Sequence, residues 1–163
     1  MWGKNMGKEV RRAVINDVPK IMPLLSSVAQ LHGDNRKDIF RNPTLHYSES
    51  EIKNFIETGE LNIFVSTGET NEITGVLLCK IRAQHNHNVL LDSKILWIED
   101  TCVGESYRNK GYGKMLIEYA KGFAKDNGCS RMELNVWSFN KNAHDFYESQ
   151  GLKEQRNIME YII

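Results

Sequence analysis

The chain has 163 residues, which fits a single domain over 1–163 with one sizeable core. Its 21 basic residues balance its 21 acidic ones, so charge gives no reason to expect nucleic acid or an anionic membrane as partner. No apolar run approaches the roughly 20 residues of a membrane-spanning helix, and residues 1–8 lack the apolar core of a signal peptide, so the expected compartment is the cytoplasm.

Residues 10–15 are short and β-branched, which predicts an N-terminal strand. Asn16 and Asp17 offer a cap to a helix whose apolar face is Ile21, Leu24, Leu25, Val28 and Leu31. Pro23 should kink that helix, because its ring clashes with the carbonyl four residues back, and Gly33 should end it. Residues 33–47 are irregular. Ser48-Glu49-Ser50-Glu51 reads as a capping box opening a short helix through Ile52, Phe55 and Ile56, stopped at Gly59.

Strands are expected at 62–66 and 73–82, joined as an antiparallel hairpin by the turn at 68–72, with a polar loop at 85–94. A strand at 96–103 leads into a loop and then a helix at 111–126, with Met115, Leu116, Tyr119, Ala120 and Phe123 on its buried face. Gly128 is placed to end it. A strand at 132–137, a helix at 141–149 stopped by Gly151, and a last strand at 156–162 complete the chain. The order β-α-α-β-β-β-α-β-α-β predicts an α/β (α+β) fold, a mixed sheet with helices on its faces.

The most informative segment is 103–114, between a predicted strand and a predicted helix, with Gly111 and Gly113 at the helix start. Backbone N–H groups there have no intrahelical acceptor, and the helix dipole adds partial positive charge. Glycine lets a pyrophosphate approach the backbone closely, and Arg108, Lys110 and Lys114 add formal charge. By itself Gly-x-Gly suits a solvated helix start equally well. It matches neither the Walker pattern nor a dinucleotide fingerprint.

Arg-x-x-Gly-x-Gly at 108–113 resembles the coenzyme A pyrophosphate motif of the GNAT superfamily of N-acetyltransferases. Residues 140–152, with Asn140, Ala143, Phe146, Tyr147, Glu148, Gly151 and Leu152, resemble the same superfamily's second motif, in the same order and spacing. Together the two motifs define a coenzyme A-binding core of about 96–152.

The resemblance implies a sheet splayed at the fourth long strand, with acetyl-CoA as co-substrate in the gap and no metal. Backbone groups of Thr101, Cys102 and Val103 would hold the pantetheine arm, and Asn140 would reach it. Amides of Arg108, Asn109, Lys110, Gly111, Tyr112, Gly113 and Lys114 would hold the pyrophosphate. Tyr147 matches the tyrosine that protonates the departing thiolate; a phenol near pKa ~10 can donate at neutral pH. Core packing of Phe146 and Tyr147 is the competing reading.

An ammonium of pKa near ~10.4 must lose a proton before attack, and Glu99 matches a family carboxylate that could take it, directly or through water. Asp100 would face the opposite side of a regularly alternating strand, unless a bulge exchanged the two. Asn135 stands where ribosomal-protein acetyltransferases carry a glutamate, which argues against a protein N-terminus as acceptor. Leu152 and Asn109 replace a frequent phenylalanine and glycine of the pattern.

The expected acceptor is a small-molecule amine, contacted by 31–47, by the 84–93 loop and by the last strands. The expected assembly is a homodimer. A protein amine as acceptor, and an acyl-CoA sensor that binds without transfer, are the alternatives. His85 and His87 suit a solvated loop better than a metal site, and His32 and His144 carry no assigned role. Cys79, Cys102 and Cys129 read as reduced, buried thiols, and Cys102 lacks a neighbouring base that would make it a nucleophile.

Overall fold

The computed structural model describes residues 7–41 and 45–163. Five strands form one sheet in sequential order: β1 (Glu9–Arg12), β2 (Asn62–Thr67), β3 (Ile73–Gln84), β4 (Ser93–Val103) and β5 (Arg131–Glu133). The first four pair antiparallel, and β5 joins β4 in parallel. Four helices cover the faces: α1 (Val18–Asn35), α2 (Glu49–Thr58), α3 (Tyr112–Asp126) and α4 (Lys141–Ser149).

Strand alternation builds two cores, one per face. Ile63, Val65, Val76, Leu78 and Cys102 pack with Val18, Ile21 and Leu25 of α1 and Ile52 of α2. Phe64, Leu77, Cys79, Leu96 and Ile98 pack with Leu116, Ile117, Ala120 and Ala124 of α3, and with Phe146 and Tyr147 of α4. Each of these large side chains contributes about 1.5–3 kcal/mol when fully buried. Gly75 leaves no room for a side chain between β3 and β4: an added Cβ would stand 2.8 Å from the Cys102 carbonyl oxygen.

Several local readings hold. Ser48 caps α2 with Glu51 reaching back to its N–H, and Gly59 closes the helix at φ 71°. The 68–72 turn carries Gly68 N–H to the Glu72 carbonyl at 2.9 Å, with Asn71 at φ 64°. Gly128 and Gly151 take positive φ after α3 and α4.

Others are corrected. α1 runs past its predicted stop to Asn35, with Ile21, Leu25 and Ala29 buried and Pro23 inside it. Gly33 lies buried inside its last turn rather than beyond it. Asp17 makes no side-chain cap to α1; its carboxylate binds the Arg11 guanidinium and the Val14 N–H instead. On α3 the buried stripe is Tyr112, Leu116, Ile117, Ala120 and Ala124, and Tyr119 is exposed.

The last two predicted strands are mostly absent. β5 keeps its ladder only at 131–133, and 134–137 continue without a strand partner. Residues 152–163 form no strand, and Ile158, Met159 and Tyr161 stand almost fully exposed. A strand needs a ladder, and no free edge within this chain is paired with the segment. Past Leu152, whose N–H donates to the Tyr147 carbonyl at 3.1 Å, side chains tie it: Gln155 to Glu133 at 3.1 Å and Glu160 to Arg36 at 2.9 Å.

Candidate active site

The site begins where the sheet comes apart. β4 and β5 pair only at Ile95–Arg131, Leu96–Met132 and Trp97–Glu133. From Ile98 to Val103, β4 keeps β3 on one side and, among the described residues, has no strand on the other. Thr101, Cys102 and Val103 pair with Leu77, Val76 and Gly75 and turn their other edge to the gap. That is the splay the family resemblance implies.

Beyond β4 a short 3-10 turn, Glu105–Tyr107, leads to α3. Asn109 and Gly111 both take positive φ, 58° and 89°, which turns successive amides to one side. The N–H groups of Asn109, Lys110, Gly111, Tyr112, Gly113 and Lys114 have no hydrogen-bond acceptor among the described residues. The N–H of Arg108, by contrast, already donates to the Glu105 carbonyl at 3.3 Å. Its side-chain Nε donates to the Val103 carbonyl at 3.4 Å, holding the loop against β4. Six unpaired amides at the positive end of a helix dipole, with Lys110 and Lys114 beside them, have the geometry and charge to accept an anion.

Asn140 caps α4, its Oδ1 accepting from Ala143 N–H at 3.1 Å, which leaves its NH2 as donor. From α4, Phe146 and Tyr147 both reach the Leu96–Ile98 core, so packing and exposure of the phenol to the cleft are compatible. Burial pushes the Tyr147 phenol above its ordinary value, Asp100 and Cys102 add to the rise, and the Thr101 hydroxyl opposes it. The phenol therefore keeps its proton at neutral pH.

A β-bulge decides where the two carboxylates go. Leu78 pairs with Asp100 and Cys79 with Ile98, so Glu99 is the extra residue. Leu96 and Ile98 consequently face α3, while Cys102, of the same parity, faces α1 and lies 3.5 Å from Ser27 Oγ. Glu99 and Asp100 both turn toward the α1–α2 face. Glu99 is ion-paired with Lys80 and Arg82 beside Tyr47 and Phe55. Asp100 is buried, faces His46, and acts electrostatically on His32, Tyr47, Cys102 and Tyr147.

His46 was not marked by any sequence pattern, and His32 was given no role. The structure stacks their rings with centroids 5.3 Å apart, and packs His32 against Phe40, Trp137 and Phe139. A wide cleft of about 1490 Å³ runs along 131–137 to Tyr147 and is bordered by Trp137 of this cluster. His85 pairs with Asp92 at 3.7 Å while His87 Nδ1 accepts from Val89 and Leu90 N–H, so the two do not converge. The ligand atoms of His144, Asp145 and Glu148 lie within 4.8 Å of one another on α4, an arrangement common on acidic helix faces. No helix among the described residues is long and apolar enough to cross a membrane.

Residues 28–152 match the model of the acetyltransferase (GNAT) family. An uncharacterized N-acetyltransferase (pepI 3′ region) of Lactobacillus delbrueckii subsp. lactis is 35% identical over 81 residues, 50% of this chain and 46% of that protein. The thialysine N-epsilon-acetyltransferase of Bos taurus is 36% identical over 59 residues, 36% of this chain and 35% of that protein. The chain thus matches less than half the length of either relative. The crystal structure of a mutant BH1408 protein from Bacillus halodurans superposes with TM-score 0.89 at 26% identity, over 94% of this chain and 98% of that one.

Proposed function

The chain belongs to the acetyltransferase (GNAT) family, and from that premise we propose that it transfers an acetyl group from acetyl-CoA to the primary amine of a small molecule. Transfer is direct, within a ternary complex. The observation that carries this reading is the cradle of bare amides at 109–114, opening beside the unpaired edge of β4. It fits a pyrophosphate: the donors are unpaired, positively curved and flanked by Lys110 and Lys114.

Acetyl-CoA, when bound, supplies the activated acyl carbon. The protein's own groups do the rest. Edge groups of Thr101, Cys102 and Val103, with the Asn140 NH2, hold the arm, and amides on that edge stabilise negative charge developing on the acyl oxygen. Tyr147 keeps its proton until a thiolate is there to take it. Glu99, the base the sequence suggests, is already engaged by Lys80 and Arg82.

A small acceptor is favoured by the balanced charge, which offers no broad docking surface for a protein, and by a relative named for thialysine. The reading extends to a homodimer, in which a second copy covers the bare Ile158, Met159 and Tyr161. Sedimentation should then show a dimer that becomes a monomer when residues 156–163 are removed.

The decisive experiment is an acceptor panel of polyamines, aminoglycosides, amino acids and peptides, read by thiol release. Tyr147→Phe should lower kcat by about 100-fold or more and leave acetyl-CoA affinity nearly intact. Saturable acetyl-CoA binding with no turnover on any amine would replace the enzyme with a sensor. No thermal shift with acetyl-CoA at 100 times its Kd, where about 2.7 kcal/mol of stabilisation is due, would reject both.

A further inference from the structure

Around Asp100 the structure gathers groups for which anion binding has no use. Asp100 Oδ2 lies 3.5 Å from His46 Nδ1, and both side chains are mostly buried. With Nδ1 turned to the carboxylate, the imidazole is held as the tautomer whose bare lone pair is on Nε2. His46 Nε2 is buried and has no hydrogen-bond partner among the described residues, and the same is true of His32 Nδ1 on the neighbouring ring. Two unpartnered ring nitrogens side by side in a folded interior are costly unless a polar group arrives to fill them.

The surroundings say which donor. Phe40, Trp137 and Phe139 pack around His32, with Trp137 and Phe139 stacked at 6.1 Å. The Arg36 guanidinium already sits 5.4 Å over the Trp137 ring, so this aromatic wall takes cations. Burial, and then His46, push the His32 imidazole toward its neutral form. A primary ammonium on an apolar stem matches every part: N–H donors for two bare nitrogens, charge for the ring faces and for Asp100.

We infer that His46, held by Asp100, is the group that takes the proton from the acceptor ammonium, and that His32, Phe40, Trp137 and Phe139 seat the ammonium and its stem. The inference rests on the acetyl-transfer reading and deepens it. The ammonium proton passes to His46 Nε2 and then to solvent. The freed nitrogen forms the C–N bond as the C–S bond breaks. Its second proton replaces the one Tyr147 gives to the sulfur, so the transfer balances as amine plus thioester to amide plus thiol.

Other groups set the local charge. Asp100 faces His46 from β4 and His32 from α1, and Tyr47 adjoins it; Arg36, just past α1, lies over Trp137, Tyr147 stands on α4, and Glu99 and Glu51 act on Tyr47. Asp100 is a positioning residue, since it acts through His46.

The test uses the full chain, an amine found to be acetylated, and the pH profile of kcat/KM. His46→Gln should lower kcat by about 100-fold or more and abolish the acid limb, with acetyl-CoA affinity unchanged. Exogenous imidazole should restore part of the activity of His46→Gly, which a merely structural histidine would not allow. Asp100→Asn should shift the limb without removing it. A normal limb in His46→Gln, or one abolished by Glu99→Gln instead, overturns the inference while leaving acetyl transfer standing. Should no amine be acetylated, nitrogen-15 NMR of the imidazoles still decides: His46 protonated on Nδ1 supports the arrangement, and on Nε2 rejects it.

Discussion

Gly113 and Phe146 lock the start of α3 to α4: a Cβ on residue 113 would stand 3.0 Å from Phe146 Cζ and 3.2 Å from Cε2. The absence of a side chain there serves packing as well as access to the cradle. Phe146 is the neighbour of Tyr147, so the same contact fixes where the phenol sits. Gly113→Val should cost about 1–3 kcal/mol by overpacking and weaken acetyl-CoA binding, read by thermal melting and by calorimetry. A variant of unchanged stability would show that the ring gives way freely.

Gly111 behaves differently. Nothing lies within 4 Å of its would-be Cβ, yet its φ is 89°. Gly111→Ala should therefore cost about 1–2 kcal/mol through backbone strain alone, and Gly111→Asn less, because asparagine tolerates left-handed backbone. Urea unfolding of the pair measures the difference; equal losses would point to lost contacts instead.

Arg11 and Asp17 join β1 to the turn before α1, with contacts of 2.6 and 3.0 Å. Burial works to raise the Asp17 carboxyl, but the Arg11 guanidinium and the Val14 N–H outweigh it and hold the group below the usual carboxylate range. A depressed folded value means stabilisation that is complete above the unfolded carboxyl's range and is lost as pH falls through the folded one. Arg11→Ala should flatten that acid decline in a stability-against-pH series, leaving the remaining carboxylates to set it.

The three thiols should differ in reactivity. Burial pushes Cys79 up to about 12 and raises Cys102, whereas Cys129 lies only partly buried after α3. A disulfide reagent at pH 8 should modify Cys129 in the native protein, and the other two only on unfolding. Fast labelling of Cys102 would mean that the cleft opens more widely than its packing against Ser27 indicates.

Thr74 and Ser66 form a buried pair between β2 and β3, their hydroxyls 2.8 Å apart. Thr74→Val leaves the Ser66 hydroxyl without that partner and should cost about 1–3 kcal/mol in chemical denaturation. The double change Thr74→Val, Ser66→Ala should recover part of the loss.

Features written in neighbouring residues were legible before the fold was known. The Ser48–Glu51 capping box, the left-handed stops at Gly59 and Gly151, and the glycines of 111–113 each depend on a few adjacent positions. So do the two motifs that carry the family resemblance, which is why the cradle and Tyr147 could be named from residues 108–114 and 140–152. Gly33 misled for the opposite reason: its local signal to stop was overruled by burial along α1, which runs on to Asn35.

What depended on distant partners could not be read. The sequence by itself determined the fold class and the local stops and caps, because capping, periodicity and helix-end chemistry act within a turn or two of chain, whereas Tyr147 was named through the family resemblance. Only the tertiary structure decided that a bulge at Glu99 turns Asp100 toward the first two helices, that His32 and His46 meet beneath a wall of rings, and that 156–162 finds no ladder. A strand's register and pairing are set by the strand beside it, and a cluster drawn from α1, the segment before α2 and residues 137–139 exists only once all three are folded.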